Sequence, residues 1–222
     1  MDEKILLELS KINIDTDSGE QLFRNLSLRL PYGRSAILLG GAGSGKTVLV
    51  QTLVGGRFPV TGTIELFGEL VRRERERVIR RVRRKIGGVG GIFELIPNLT
   101  IYENIEFPLM IDNVPKQQRR ERVMKSLADF SLLKYANMYP RSLTRVQNII
   151  VQIARASIGN QPLMIIDEPF AGLDQTTYTR VMEHLEHIAL SGRSLLVLTS
   201  TPPPQFLPNC DLYHFRDGEL QA

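Results

Sequence analysis

Eight consecutive residues, 40–47, have the types and spacing of a phosphate-binding loop. They read Gly-Gly-Ala-Gly-Ser-Gly-Lys-Thr and fit the pattern G-x-x-x-x-G-K-[ST] at every fixed position. An apolar strand-like segment, residues 35–39, precedes them, and a helical pattern, residues 48–54, follows. Glycine amides and a helix amino terminus attract phosphate oxygens, while the lysine reaches the phosphates and the hydroxyl holds Mg²⁺. The pattern predicts a nucleoside triphosphate site formed by Gly40, Gly41, Ala42, Gly43, Ser44, Gly45, Lys46, Thr47 and Val48.

Two carboxylates that follow an apolar run form the second candidate group. The run 163–166 ends in Asp167 and Glu168, about 120 residues after the glycine-rich loop. A carboxylate at the end of a strand beside such a loop holds Mg²⁺ directly or through water, so Thr47 and Asp167 are the predicted metal ligands. Glu168 is placed to orient and deprotonate an attacking water. We therefore predict that Glu168 and Lys46 are catalytic.

Alternating strand and helix patterns predict the framework that must hold these residues. Strand patterns occur at residues 6–9, 11–14, 26–30, 35–39, 62–68, 163–166 and 194–198, with a terminal hairpin at 213–218. Helical periodicity covers residues 71–86, 116–130, 143–158 and 177–190. Strands that alternate with helices in this order predict an α/β fold with a parallel sheet.

Composition excludes several classes of protein. The chain has 222 residues, of which 42% are hydrophobic and 23% charged, as in ordinary globular proteins. No apolar run approaches the roughly 20 residues of a membrane span, and the first residues do not resemble a signal peptide. A single cysteine, Cys210, excludes an internal disulfide and suits a reducing compartment. These features predict a cytoplasmic location.

Positive charge is concentrated in one segment, which begins at Arg72 and ends at Lys85. It holds eight arginines and one lysine against Glu74 and Glu76, whereas the whole chain carries a net charge of +4. We interpret it as a solvated helix with a thin apolar stripe, and contact with anionic lipid is the alternative. No aromatic residues interleave the charges and no base-reading module is present, so nucleic acid is not an expected partner.

The order of these parts resembles the nucleotide-binding domain of ABC transporters over nearly the whole chain. Residues 40–47 resemble the Walker A motif, residues 163–168 the Walker B motif with its catalytic glutamate, and Asp174 with the three residues before it the D-loop. Residues 96–109 are similar to the stretch that follows the Q-loop in the FtsE/LolD/MacB-type branch.

This resemblance implies a fold, cofactors and partners. The fold is a P-loop NTPase domain over residues 1–222, with a RecA-like core and antiparallel β subdomain (1–92 and 160–222) and a helical subdomain (about 93–159). The implied cofactors are ATP and Mg²⁺, with ATP held between two subunits of a homodimer or heterodimer. The implied partner is a membrane permease or an FtsX/LolC-like transmembrane subunit. The chain would then lie on the cytoplasmic face of the inner or plasma membrane.

The family signature LSGGQ is altered in this chain. The corresponding residues are Leu143, Thr144, Arg145, Val146 and Gln147. Arg145 and Val146 replace both glycines, and without glycine the backbone loses its close approach to a phosphate. The Arg145 side chain offers instead a fixed positive charge and several donors to the γ-phosphate.

Three further family positions are also altered. The Q-loop glutamine falls at Gly91, and the switch histidine falls at Ser200. No aromatic residue lies between Asp15 and Ser18 to stack on adenine, and Phe23 is the first candidate. A helical pattern also contains two histidines three residues apart, His184 and His187. We interpret them as part of a solvated helix face rather than as metal ligands.

Together, the retained and altered residues predict an ATP-binding subunit with slow or conditional hydrolysis. Its work would be the dimer-driven movement of a membrane partner in lipid, lipoprotein or cell-envelope transport. Two alternatives stay open: a catalytically impaired regulator or scaffold of a membrane complex, and the degenerate half of a heterodimeric ATPase. A soluble nucleic-acid-associated ABC protein is disfavoured because the chain has no zinc-binding set of cysteines.

Overall fold

Two β-sheets organise the chain. In the computed structural model, which describes residues 3–16, 18–203 and 207–221, one sheet has four strands and the other has six. The strands are β1 Ile5–Asp15, β2 Gln21–Pro31, β3 Ser35–Leu39, β4 Thr61–Leu66, β5 Glu69–Leu70, β6 Ile86–Val89, β7 Leu163–Asp167, β8 Ser194–Thr199, β9 Cys210–Arg216 and β10 Glu219–Gln221. The helices are α1 Lys46–Leu53, α2 Glu76–Arg84, α3 Ile101–Ile111, α4 Lys116–Asp129, α5 Arg145–Ser157 and α6 Gln175–Leu190.

The six-stranded sheet positions the predicted site. Its order is β10-β9-β3-β8-β7-β6, and every pair is parallel except β9 with β10. Strands β7 and β8 are buried along their whole length, which explains their continuous apolar sequences. In the register, Leu39 pairs with Thr199 and Asp167 with Leu198, so β3, β7 and β8 end at the same edge. The predicted α/β fold is therefore confirmed.

The four-stranded sheet is antiparallel and has the order β2-β1-β4-β5. Its strand β1 is one irregular strand, whereas the sequence predicted two separate segments. The break in its pattern is a bulge around Lys11, which has a positive φ of 48°. Apolar residues of β1 and β2 share one buried cluster with α1 and with strands of the larger sheet, so the two sheets enclose a common core.

Helices α3, α4 and α5 build a separate apolar cluster around Ile105, Leu127 and Val151. The start of α3 is fixed by a capping box, in which Thr100 and Glu103 bond to each other's backbone amides. Hydrogen bonds from Thr100 keep the pKa of Glu103 below its ordinary range. The division into a core and a helical subdomain near residues 93 and 159 stays a prediction.

The basic segment is less helical than its sequence predicted. Only Glu76–Arg84 is helical, with Ile79 and Val82 buried. Val71 lies before the helix, and Ile86 begins β6, where pairing with β7 overrides the helical spacing. The sequence predicted no strand at β6, because its two glycines have low strand propensity. Within the described ranges, no helix is both long and apolar enough to cross a membrane.

Candidate nucleotide-binding site

The glycine-rich loop connects the carboxyl end of β3 to α1. Gly45 caps the helix with a φ of 89°, a conformation that favours glycine, and no side chain bonds the first helical amides. An added Cβ at Gly45 would lie 2.6 Å from the Phe23 ring, so the loop also needs glycine for space. The first helical hydrogen bond is donated by the Leu49 amide to the Gly45 carbonyl. The amino end of α1 therefore has the amides and dipole that bind a phosphate.

Lys46 is folded against its own loop. Its side chain is only 7% exposed, and Nζ donates to the carbonyls of Gly40 at 2.5 Å and Gly41 at 2.8 Å. Nζ also lies 3.3 Å from Glu168 Oε1. The cation predicted to reach the phosphates is thus already held at the mouth of the loop.

Thr47 and Asp167, the predicted metal ligands, are in direct contact. Thr47 Oγ1 donates to Asp167 Oδ2 over 3.1 Å, and the other carboxylate oxygen is buried with no partner among the residues that the structure describes. Asp167 is 2% exposed, and this burial raises its pKa, although the Thr47 bond and Lys46 oppose the rise. A hydroxyl and an orphaned carboxylate oxygen fit Mg²⁺, which prefers oxygen ligands and completes its shell with phosphates and water.

Glu168 occupies a backbone conformation that is unusual for its residue type. Its φ is 53°, and its amide donates to the Leu198 carbonyl at 2.8 Å. Its Oε2 accepts hydrogen bonds from the Ser200 amide at 3.0 Å and the Ser200 hydroxyl at 3.1 Å. Ser200, the residue at the predicted switch-histidine position, is therefore paired with the predicted general base, a contact that the sequence did not predict. Strain of this kind is common at functional residues.

Gly91, at the predicted Q-loop position, lies against Asp167, one of the two predicted metal ligands. Gly90 and Gly91 have φ angles of 74° and 50°, and an added Cβ at Gly91 would lie 2.3 Å from Asp167 Oδ2. This backbone therefore has no room for a side chain at Gly91 unless the loop moves. The Gly90 amide donates to Gln152 Oε1, 2.6 Å away on α5. Gln152 is 8% exposed, and the signal that could have revealed it is a polar residue on the apolar face of that helix.

The residues that we predicted to form the altered signature lie at the start of α5. Thr144 is its N-cap, and its hydroxyl accepts from the Gln147 amide while its own amide donates to the Gln147 side chain. Gln147 also donates to the Tyr135 hydroxyl at 2.8 Å. Arg145 is exposed and Val146 half-buried. These contacts are local to the helical region, so the structure of one chain does not bring the signature to the glycine-rich loop.

Two further residues of the prediction have structural roles. Asp174, at the D-loop position, caps α6 by accepting from the amide and the hydroxyl of Thr177 at 3.0 and 2.8 Å. The bond from the Thr177 amide lowers the pKa of Asp174. Phe23 is fully buried and stacks on Phe215 with centroids 5.9 Å apart, so it is not available to stack on a base. Asp17, in the segment without an aromatic residue, lies outside the described residues.

Comparison with known proteins identifies the family. The sequence model of the ABC transporter family matches residues 23–171. An uncharacterised ABC transporter ATP-binding protein of Thermotoga maritima is 32% identical over 99% of this chain and 95% of its own length. The methionine import ATP-binding protein MetN of Carboxydothermus hydrogenoformans is 32% identical over 79% of this chain, which spans about half (52%) of that protein.

A solved structure agrees over almost the whole chain. The dimeric ATP-binding cassette MJ0796, in a post-hydrolysis state with ADP and Pi, has a TM-score of 0.84 and 26% identity, covering 98% of this chain and 97% of that one. This chain therefore has the P-loop NTPase fold of that structure, in agreement with its own strand order and its glycine-rich loop. The chain belongs to the ABC transporter ATP-binding family and is an ATP-binding subunit of that kind.

Proposed function

We propose that this subunit works as a slow, ATP-gated clamp that moves a membrane partner. The observation that carries the proposal is the contrast within the site. The glycine-rich loop and the Thr47–Asp167 pair keep the geometry that binds a triphosphate with Mg²⁺. The positions that complete and close the site, Gly91, Ser200 and Arg145, have lost the family residues.

Each retained residue has a defined role in this proposal. The amides of residues 40–48 and the Lys46 ammonium bind the β- and γ-phosphates. Thr47 and Asp167 hold Mg²⁺, which when bound neutralises the phosphate charge. Glu168 accepts a proton from the attacking water.

We attribute slow turnover to the contacts that Glu168 makes with its neighbours. One carboxylate oxygen lies beside the Lys46 ammonium, and the other accepts two hydrogen bonds from Ser200. These contacts hold the carboxylate in one orientation, and Gly91 offers no side-chain amide to help orient the attacking water. Each 1.4 kcal/mol added to the barrier lowers the rate about tenfold.

Arg145 replaces the signature glycines as the γ-phosphate donor of the opposite subunit. It stands at the first position of α5. A cation at a helix amino terminus is opposed by the helix dipole, so its presence there is better explained by an anion that it meets. The neighbouring Thr144 amide already donates to Gln147 and is not free for this task. An arginine beside the helix end supplies both charge and several donors.

The experiment for this step is ATP-dependent dimerisation of the Glu168→Gln chain, with Arg145→Ala as the test. We expect Arg145→Ala to weaken this homodimer about 100-fold, because each of its two sites loses one charge-assisted contact worth about tenfold. Arg141→Ala, which removes another exposed cation just before α5, is the matched control and should leave the dimer unchanged. Equal dimerisation of the Arg145→Ala and parent chains would refute the role of Arg145.

The membrane partner we infer is a permease or an FtsX/LolC-like subunit, on the cytoplasmic face of the inner or plasma membrane. The support for lipid, lipoprotein or cell-envelope work is the resemblance of residues 96–109 to that branch of the family. The α2 surface adds exposed arginines, among them Arg75, Arg77 and Arg84, that suit anionic headgroups. Co-purification of the chain with the membrane protein expressed beside it tests this inference. A chain that never associates with a membrane protein would overturn it.

A nucleotide-gated regulator without turnover is the second candidate. The engagement of Glu168 by Lys46 and Ser200 favours it, since both contacts occupy the predicted general base. In that case Glu168→Gln would leave the partner's activity unchanged while Lys46→Ala abolished its response to ATP. In the clamp with slow turnover, Glu168→Gln would instead trap the closed dimer.

A further inference from the structure

A crevice of about 610 Å³ lies away from the nucleotide site, between α4, the end of α5 and the end of α6. Three cationic side chains line it from two parts of the chain: Arg122 and Lys125 on α4, and Arg193 just before β8. His184 and His187, one turn apart on α6, face the same space. The crevice has one carboxylate, Asp129, against three permanent cations.

Arg122 and Arg193 each have more N–H donors than their bonds to backbone carbonyls use. Arg122 donates to the Ile158 carbonyl, and Arg193 donates to the Ser157 carbonyl at 2.9 Å, so each caps the end of α5. Each of these bonds uses one terminal nitrogen, whereas a guanidinium carries five N–H donors. Burial, and to a lesser extent the charge of Arg122, lower the pKa of Arg193.

We infer that this crevice binds the phosphate group of a small anion. Arg122 and Lys125 would hold it from α4 and Arg193 from the core. Arginine and lysine donors that line one crevice are the usual partners of a phosphate, and about 610 Å³ admits more than the phosphate itself. Because the donors stand on both α4 and the strand-side loop, the anion would join the helical region to the core.

The test is a calorimetric titration of inorganic phosphate into the full chain, with the glycine-rich loop saturated by Mg²⁺ and a non-hydrolysable ATP analogue. We expect one phosphate to bind per chain under these conditions. Lys125→Gln should weaken its binding about tenfold, in keeping with the loss of one charged hydrogen bond. Lys125 is exposed, so this change does not threaten the fold.

Arg120→Gln is the matched control, because Arg120 is an exposed cation on the same helix outside the crevice lining. Its effect should stay below about twofold. No phosphate binding once nucleotide fills the loop, or equal weakening by Lys125→Gln and Arg120→Gln, would overturn the inference. Neither result would affect the proposed clamp, whose residues lie elsewhere.

A second titration distinguishes a soluble ligand from a lipid headgroup, which would present the same phosphate. Vesicles of phosphatidylcholine with and without phosphatidic acid serve as probes. Sedimentation with the phosphatidic acid vesicles that Lys125→Gln lowers, and Arg120→Gln does not, assigns the site to a headgroup. Binding of free phosphate alone assigns it to a soluble phosphorylated molecule.

Discussion

The two halves of the nucleotide site differ in how far they keep the family's chemistry. The glycine-rich loop and Asp167 are fixed by adjacent parallel strands, and their contacts are those that a triphosphate with Mg²⁺ requires. The closing half that we propose, made of Gly91, Ser200 and, from the opposite subunit, the start of α5, has residue types other than those that the family pattern predicts. The difference teaches that a chain of this family can keep the residues that bind nucleotide while it changes those that position the attacking water, because the two tasks belong to different residues.

The largest expected effect is on turnover. Glu168→Gln keeps the shape of the side chain but removes its basicity, so we expect the rate of ATP hydrolysis to fall about 100-fold or more. ATP affinity should change little, because Glu168 does not belong to the phosphate loop. Phosphate release assays measure the rate, with exposed Glu94→Gln as the control. Unchanged turnover would remove Glu168 from the catalytic half.

The next effect is on affinity. Lys46→Ala removes the buried cation of the phosphate loop, and we expect the dissociation constant of Mg-ATP to rise about 100-fold. Equilibrium binding with a fluorescent ATP analogue measures it. Lys116→Ala, at the exposed start of α4, is the control for loss of one positive charge. Nucleotide binding that survives Lys46→Ala would mean that the loop is not the phosphate site.

A smaller effect is expected at the switch position. Ser200→Ala removes the hydroxyl that bonds Glu168 but leaves the backbone amide bond, so Glu168 becomes easier to release. We expect turnover to rise about threefold, the value of one modest hydrogen bond. Thr201→Ala, the next residue, is the control. A fall in turnover would show instead that Ser200 holds Glu168 in its productive position.

The smallest expected effect is on the stability of the nucleotide-free protein. Burial raises the folded-state pKa of Asp167 above its ordinary value of 3.8, so folding disfavours its charged form. Stability contributed by this group is therefore lost as pH rises from about 3.8 through the raised pKa. Asp167→Asn should raise the melting temperature at neutral pH by a few degrees and remove that pH dependence, while it weakens Mg-ATP binding. Scanning calorimetry across pH tests both halves of this prediction, and a lower melting temperature would contradict it.

Much of the fold was predictable from local patterns. The strand before the loop, the helix after it, and the apolar run that ends in Asp167 all match the structure, because burial on both sides gives continuous apolar sequences. Strand β6 escaped prediction since pairing with β7, not propensity, makes its glycines extended. Ile86 has helical spacing from Val82, but it is the first residue of β6 because it pairs with Leu163 of β7.

The contacts within the site were less predictable. Ser200 could be aligned with the switch position, but its bond to Glu168 depends on the register of β7 and β8. Gln152 contacts Gly90 across 62 residues of chain, and no local pattern reports such a pair. Phe23, an aromatic residue near the expected base position, is instead buried under Gly45.

The most direct test measures Mg-ATP binding and turnover on the same preparation of the dimer with its membrane partner. Our account predicts a dissociation constant in the ordinary micromolar range together with turnover below about 0.1 s⁻¹, at least tenfold under the slow end of typical enzymes. Turnover above about 1 s⁻¹ that Glu168→Gln abolishes would contradict it, because the altered closing residues would then be fully competent.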